Sequence, residues 1–421
     1  MAYVAAQWAM LVVLAKLGNP EMVGQFALGL AITAPVLMFS NLELRAVQAT
    51  DATRGYRFGD YLALRLIGTT LALVVILGIV YLTGYRGETA LVILVVGLSK
   101  AFESISDLFY GLFLQRERVD YMAKSLFLKA PLSLIGLSLG VYLAHSVVVG
   151  VVALALVWAL LLFGYDVRMG ARILRAPYRA LPGPMTGESD SDTKLRPYWK
   201  VSTLRKLGRV ALPLGFVGVL INLYPNIPRY FVEGYLGAHA LGIFAAMAYT
   251  TVAGIKLVDS LAQTAGPRLA GYHAAGNEAT FRTVLFRTVG LGLLLGAAGV
   301  LVVLFAGSEI LTLFYGAAYA THPDVFLWLM VAAAIDCMTS FQYWAITAAR
   351  RFASQMLLYA LVACATTAAC FWLVPAAGLR GAALACVIAA AVRWCGGLAI
   401  IVHVLYTLRN RVNSEAGTDK G

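Results

Sequence analysis

Four ionisable side chains lie near the middle of long apolar stretches of this chain. Lys100 and Glu103 belong to one stretch, and Asp336 and Arg393 belong to two others. A charged side chain at the centre of a bilayer raises the free energy by at least about 2.5–3.5 kcal/mol, so it normally faces a cavity or an opposite charge. The residues therefore predict either a polar, water-accessible cavity between the two halves of the chain or two static ion pairs, Lys100 with Glu103 and Arg393 with Asp336.

A second polar group lies in a stretch that contains several prolines. Asn222, Asn226 and Arg229 are spaced so that one helix face would carry all three, next to Pro225 and Pro228. Proline inside a spanning helix frees backbone groups and bends the helix, which is tolerated where a cavity or a neighbour satisfies those groups. The pattern predicts a bent helix suited to a gate. The alternative for Arg229 is that it extends to the external membrane surface.

The elements that position these residues are long apolar stretches, and hydrophobic residues make up 61% of the 421 residues. A bilayer core requires about 20 apolar residues of helix. Twelve stretches approach or exceed that length, over residues 1–17, 22–44, 61–82, 89–114, 121–144, 146–167, 208–232, 240–262, 284–306, 324–347, 354–375 and 379–406. The sequence therefore predicts an all-α polytopic membrane protein with about twelve transmembrane helices.

The basic residues indicate the orientation of the chain in the membrane. Most of the 33 Lys and Arg residues lie in alternate gaps between the stretches. By the positive-inside rule these gaps, both termini and the long gap 169–207 are cytoplasmic. Lys124, Lys129 and Arg65 are counted among the cytoplasmic residues. The net charge of +12 follows from this bias and does not indicate nucleic-acid binding. We expect an inner-membrane protein without a cleaved signal peptide.

The long gap divides the stretches six and six. We predict an N-terminal lobe over 1–168, a cytoplasmic linker over 169–207, a C-terminal lobe over 208–406 and a cytoplasmic tail over 407–421. The lobes resemble each other, and Glu103 aligns with Asp336. Because each lobe has an even number of spans, the repeats are predicted to be parallel. The matched carboxylates are predicted to couple transport to a proton or sodium gradient, since burial and a nearby cation shift carboxylate protonation in opposite directions.

Patterns typical of catalysis do not occur in this sequence. It contains neither a Walker A motif nor a nucleophile elbow, and its His and Cys residues lack metal-binding spacing. The gap 169–207 is too short and polar to form a catalytic domain. We therefore expect no enzymatic activity, no cofactor and no metal.

Several short motifs resemble those of one transporter family. They are the segment Leu17-Gly18-Asn19-Pro20-Glu21-Met22-Val23-Gly24-Gln25-Phe26-Ala27, a similar segment at Leu236–Ala245, and Leu313-Phe314-Tyr315-Gly316. With the six-plus-six layout, the chain resembles the Wzx-type oligosaccharide flippases of the multidrug/oligosaccharidyl-lipid/polysaccharide exporter superfamily. The resemblance implies two six-helix lobes in a V. It also implies transport of undecaprenyl-pyrophosphate-linked repeat units from the cytoplasmic to the periplasmic leaflet, for surface polysaccharide synthesis, by alternating access.

The implied substrate assigns roles to the basic and polar residues. Lys100 and Arg393 would bind its pyrophosphate by charge complementarity, and Asn222, Asn226 and Arg229 would complete the binding site. The expected partners are the lipid-linked oligosaccharide, membrane lipid, H⁺ or Na⁺ as coupling ion, and polysaccharide polymerase machinery.

Two other functions are compatible with parts of the sequence. A cation-coupled multidrug exporter of the same superfamily would favour acidic, aromatic cavities, whereas each central carboxylate here has a basic companion. A membrane enzyme acting on lipid-linked glycans would need a large external loop with catalytic side chains, and the external loops are short.

Overall fold

The computed structural model describes residues 2–50, 55–175, 195–275, 277–349 and 351–418. Over these ranges the chain consists of helices joined by short turns, without β-strands, which confirms the all-α prediction. It divides into two compact units, Ala2–Asn222 and Leu223–Gly421. The middle of the predicted linker and the end of the predicted tail lie outside the described residues.

The N-terminal unit contains nine helices. They are α1 Ala2–Leu17, α2 Pro20–Asn41, α3 Leu44–Thr50, α4 Phe58–Thr83, α5 Gly87–Gln115, α6 Val119–Ala144, α7 Val147–Leu161, α8 Val167–Arg175 and α9 Val201–Leu223. A π-helical turn, Leu162–Asp166, joins α7 to α8. Local sequence sets the boundaries, as at α2. There the Asn19 side chain accepts a hydrogen bond from the Met22 N–H at 2.9 Å, and Pro20 occupies the first turn, where no N–H is needed.

The described part of the C-terminal unit contains four α-helices. They are α10 Ile227–Ala274, α11 Glu278–Phe314, α12 Pro323–Ala348 and α13 Phe352–Thr418. Three of them include a residue with non-helical backbone angles: Gly237 in α10, Ala306 in α11 and Gly378 in α13. Gly237 and Gly378 have φ values of 81° and 59°, which glycine adopts without a steric penalty. These residues interrupt helices that would otherwise be longer than a bilayer is thick.

Among the described residues, nine helical segments are long and apolar enough to cross a membrane, so the chain is a multi-pass membrane protein. Two of them, Gly218–His273 and Ala353–Thr407, each combine two of the predicted stretches. The first predicted stretch corresponds to the shorter apolar helix Ala5–Leu17. The predicted count of twelve is therefore not confirmed.

Close backbone approaches hold neighbouring helices together in each unit. In the N-terminal unit, a Cβ atom added at Gly140 of α6 would lie 2.7 Å from the Cα of Gly150 in α7. In the C-terminal unit, a Cβ added at Gly296 of α11 would lie 2.7 Å from the Cα of Ala334 in α12. Small residues at such crossings let membrane helices pack by van der Waals contact, since lipid offers no hydrophobic driving force.

The predicted bent helix over 208–232 is wrong. Helix α9 ends at Leu223, residues 224–226 form a turn, and α10 begins at Ile227. Pro228 lies in the first turn of α10, where its missing N–H leaves no hydrogen bond unmade, so it starts a helix rather than bending one. Asn222 consequently belongs to the N-terminal unit, while Asn226 and Arg229 belong to the C-terminal unit.

Candidate substrate-binding site

The N-terminal unit contains a cavity of about 770 Å³ among its helices. Apolar side chains such as Leu37 and Met38 form part of its wall. Its polar lining is provided by Gln7, Asn41, Glu43, Arg45, Lys100, Glu103, Ser104, Asp107 and Asn222. The cavity contains both charged and apolar surface, as a site for an amphipathic ligand requires.

Helix α5 places two predicted site residues on the cavity wall. Lys100 and Glu103 lie about one turn apart and form an ion pair of 2.7 Å between Nζ and Oε2. Their side chains are 18% and 23% exposed, so the pair is accessible from the cavity. The structure thus contains the predicted Lys100–Glu103 pair, and this pair lines a cavity of the N-terminal unit.

Asp107 lies one turn further along α5 and binds two arginines. Arg45 donates from Nη1 to Oδ1 at 3.0 Å, and Nη2 of Arg65 lies 3.6 Å from Oδ2. Arg45 is 43% exposed and Arg65 is completely buried. The cavity therefore has a carboxylate whose charge is already balanced from two sides.

The sequence counts Arg65 among the residues of a cytoplasmic gap, and the structure places its side chain inside the N-terminal unit, completely buried. Arg65 lies inside α4, where it donates hydrogen bonds to Asn41 Oδ1 and, at 3.3 Å, to Ser104 Oγ. The nearby Thr69 hydroxyl lies 3.4 Å from the same Ser104 oxygen. Because Arg65 and Thr69 are four residues apart, their shared helix face was a sequence signal for this buried polar contact.

Lys129 was also assigned to the cytoplasmic side, and it too is buried. It lies within α6 at 1% exposure, and its Nζ is 4.5 Å from the ring centroid of Trp158. Lys100 Nζ lies 5.1 Å from the same ring. The Trp158 Nε1–H donates to Ser133 Oγ at 2.7 Å. Two lysines thus contact one buried indole, an arrangement that favours positive charge through the ring quadrupole.

The C-terminal unit contains the second predicted ion pair. Arg393 donates to Asp336, to the hydroxyl of Tyr224 and, at 2.6 Å, to Thr339 Oγ1. Tyr224 in turn stacks on Tyr359, with 5.8 Å between ring centroids. The predicted Arg393–Asp336 pair is therefore present. The tyrosines were not identified from the sequence, because their role depends on which helices pack together.

The remaining predicted residues make other contacts. Arg229 is 8% exposed and donates to Asn226 Oδ1 at 2.8 Å and to the Tyr249 hydroxyl at 3.2 Å. It is thus held inside the unit rather than extended to the membrane surface. Asn222 lines the cavity of the N-terminal unit, and its amide donates to the Gly218 carbonyl at 2.8 Å.

The described parts of the chain contain no group of three His, Cys, Asp or Glu side chains that could hold a metal ion. The cysteines they include are free thiols. The polar side chains that line the cavity can recognise charge and form hydrogen bonds.

Comparison with known proteins places these features in a family. The family described as "Polysaccharide biosynthesis protein" matches residues 3–273, which is more than half of the chain. The capsular polysaccharide biosynthesis protein CapF of Staphylococcus aureus is 26% identical over 324 residues, covering 76% of this chain and 76% of CapF.

Solved structures share the fold at low sequence identity. An inward-facing multidrug resistance MATE family transporter of the MOP superfamily has a TM-score of 0.77 at 15% identity, covering 97% of this chain and 96% of its own. The lipid II flippase MurJ in an inward closed conformation has a TM-score of 0.69 at 12% identity, covering 96% and 88%. Together with the family match, these likenesses confirm the predicted resemblance to the exporter superfamily.

Proposed function

Because the chain belongs to the polysaccharide biosynthesis protein family, we propose that it is a flippase for lipid-linked oligosaccharides. It carries undecaprenyl-pyrophosphate-linked repeat units from the cytoplasmic to the periplasmic leaflet by alternating access, and the units then enter surface polysaccharide. The likeness to CapF, whose name refers to capsular polysaccharide biosynthesis, supports the substrate class. The protein acts in the bacterial inner membrane with both termini and the 169–207 linker in the cytoplasm.

The observation that carries this proposal is the charged cavity of the N-terminal unit. A pyrophosphate in an apolar setting needs cations, because its hydration is lost and only nearby charge replaces it. Lys100 lies on the cavity wall and is partly exposed, and Arg45 lines the same cavity. Apolar wall residues suit the attached lipid, and Asn222 offers an amide to the sugars.

In the C-terminal unit, Arg393 is the second pyrophosphate ligand, and Asn226 and Arg229 contribute hydrogen bonds to the substrate. The Thr339 and Tyr224 contacts hold the Arg393 guanidinium in place. An arginine fixed in this way presents a planar group that suits bidentate phosphate binding.

Glu103 and Asp336 couple transport to an H⁺ or Na⁺ gradient in this proposal. Each carboxylate is paired with a basic residue in the structure. Its protonation therefore depends on whether that basic residue is bound to the substrate instead. The base is thereby shared between carboxylate and pyrophosphate, which links ion binding to substrate binding.

The test is flipping of a fluorescent polyprenyl-pyrophosphate oligosaccharide by the purified protein in liposomes. We expect transport by the native protein, loss of at least about tenfold in Lys100→Ala and Arg393→Ala, and partial activity in Arg393→Lys. Lys124→Ala, which alters an exposed lysine on α6, is the matched control and should transport normally.

Transport of organic cations but not of the lipid-linked sugar would instead support the multidrug exporter. Native-level flipping by both alanine variants, at normal protein abundance, would remove the binding role.

A further inference from the structure

Within its helices, the N-terminal unit contains a second group of buried charges that the proposed function does not use. Asp166 has no exposed surface and Lys129 is 1% exposed. Neither the two carboxylate oxygens of Asp166 nor the Nζ of Lys129 makes a hydrogen bond within the described residues. An isolated buried charge is several kcal/mol less favourable than one in water, so this arrangement needs a proton, water or an opposite charge.

Asp166 lies where the backbone itself is irregular. It is the last residue of the π-helical turn Leu162–Asp166 between α7 and α8. π-Helical turns are rare and occur frequently at functional sites. The groups that face its carboxylate are the hydroxyls of Ser106 and Ser125 and the ammonium of Lys129. The nearby Tyr110 hydroxyl lies 2.9 Å from the hydroxyl oxygen of Ser125.

Lys129 is the buried cation that acts electrostatically on this carboxylate. The charged groups that face it are Glu103, Lys100 and Asp107 from α5, and Asp166. From α7, the Trp158 ring lies 4.5 Å from its Nζ. Helix α1 also packs on α6, but its only charged side chain is Lys16, which is exposed at its C-terminal end.

Glu103 therefore has two candidate cationic partners. It is paired with Lys100 at 2.7 Å, and Lys129 also acts on it electrostatically. Both lysines contact the same indole ring of Trp158. A shift of Lys129 from Asp166 towards Glu103 would neutralise Glu103 and release Lys100.

We propose that Asp166 is a proton-binding site that controls, through Lys129 and Glu103, whether Lys100 is free to bind the substrate's pyrophosphate. One proton from water converts the Asp166 carboxylate to a carboxylic acid, while Lys129 remains an ammonium. Lys129 then pairs with Glu103, and Lys100 is released to the cavity. Loss of the proton restores the Asp166–Lys129 attraction and returns Lys100 to Glu103.

This inference rests on the proposed function, because it assigns a regulator to the Lys100 phosphate site. Its test is binding of farnesyl pyrophosphate, a short polyprenyl pyrophosphate, to the purified full-length protein from mildly acidic to mildly alkaline pH. With rising pH, we expect the affinity of the native protein for the probe to fall about tenfold relative to the affinity of Asp166→Asn. A factor of this size is typical of the coupling between two sites. Titration of the probe itself is common to all variants and cancels in this ratio.

The variants separate the members of the relay. Asp166→Asn imitates the protonated acid and should keep tight binding at alkaline pH. Lys129→Met should bind weakly at every pH. Asp120→Asn, which removes a half-exposed carboxylate on the same α6, is the matched control and should follow the native profile. The infrared C=O band of a protonated carboxyl group, which grows as the native protein is acidified, should be reduced in Asp166→Asn.

The outcomes distinguish this inference from the function on which it rests. If the native protein does not bind the probe, or Lys100→Ala binds it equally well, the pyrophosphate site itself is wrong. If binding requires Lys100 but Asp166→Asn keeps the native pH profile, the relay is wrong. Should Asp166→Asn fail to fold, Lys129→Met decides alone, and a native pH response in that variant would overturn the proposal.

Discussion

Arg65 joins three helices of the N-terminal unit through polar contacts. From α4 it reaches Asn41 at the end of α2, and Ser104 and Asp107 on α5. A completely buried guanidinium is stable only while these groups surround it, because each of its donors has lost water. It therefore fixes the helices that form one side of the cavity.

Removing this guanidinium should destabilise the protein more than removing the exposed arginine that shares its partner. Arg65→Met leaves buried acceptors with fewer donors, and we expect the free energy of unfolding to fall by about 3 kcal/mol. Arg45→Met removes the other Asp107 ligand, which is 43% exposed, and should change it by less than about 1 kcal/mol. Thermal unfolding in detergent compares the two, and equal losses would contradict the assignment.

The sequence identifies a site residue when its neighbours along one helix define its role. Lys100 and Glu103 were predicted as a pair because their spacing puts them on one helix face, and they form one. Arg65 and Lys129 were placed at the cytoplasmic surface because each lies near the start of an apolar stretch. Their burial follows from packing of α4 and α6 against α5, and spacing along a single helix does not specify which helices pack together.

At the scale of helices, the length of an apolar stretch predicts the helix boundaries well where the stretch corresponds to one helix. The predicted stretch 89–114 is α5, Gly87–Gln115, and the stretch 324–347 is α12, Pro323–Ala348. The prediction fails where polar turn residues interrupt an apolar run, as between α9 and α10. There the predicted stretch 208–232 includes the Tyr224–Asn226 turn, although its polar residues and the backbone preference of the prolines indicated a break.

The crossing of α6 and α7 offers a test of close packing at this scale. Gly140→Ala would place a Cβ 2.7 Å from the Gly150 Cα, and we expect a loss of about 1–3 kcal/mol in unfolding free energy because the helices must separate. Gly78→Ala in α4 meets no atom within 4 Å and is the control, with little change expected. Similar unfolding temperatures for both variants would show that the crossing tolerates a side chain.

For the whole molecule, the distribution of Lys and Arg predicts a cytoplasmic linker. Single cysteines at Gly187, in the undescribed part of the linker, and at Gly84, in the turn between α4 and α5, test this in a background without the five native cysteines. A membrane-impermeant thiol reagent applied to intact spheroplasts should label Gly84→Cys and leave Gly187→Cys unlabelled, because only external loops are reached. The reverse pattern would invert the proposed orientation.

Energy coupling is a property of the whole molecule, because it requires a carboxylate to exchange its ion with each side of the membrane in turn. Glu103 and Asp336 lie in different units, and each is held by a base. If they couple transport, Glu103→Gln and Asp336→Asn should still equilibrate the lipid-linked sugar slowly in proteoliposomes. Neither variant should then respond to an imposed pH or sodium gradient.

The double variant Lys100→Met/Glu103→Gln distinguishes coupling from static pairing. A purely structural pair tolerates loss of both charges better than loss of one, since an unpaired buried charge is the most unfavourable state. Under that alternative the double variant should recover the stability and the gradient response that Glu103→Gln alone has lost. Under coupling, the gradient response stays absent because no carboxylate remains to carry the ion. Gradient-stimulated transport in both single variants would exclude the two carboxylates as the coupling groups.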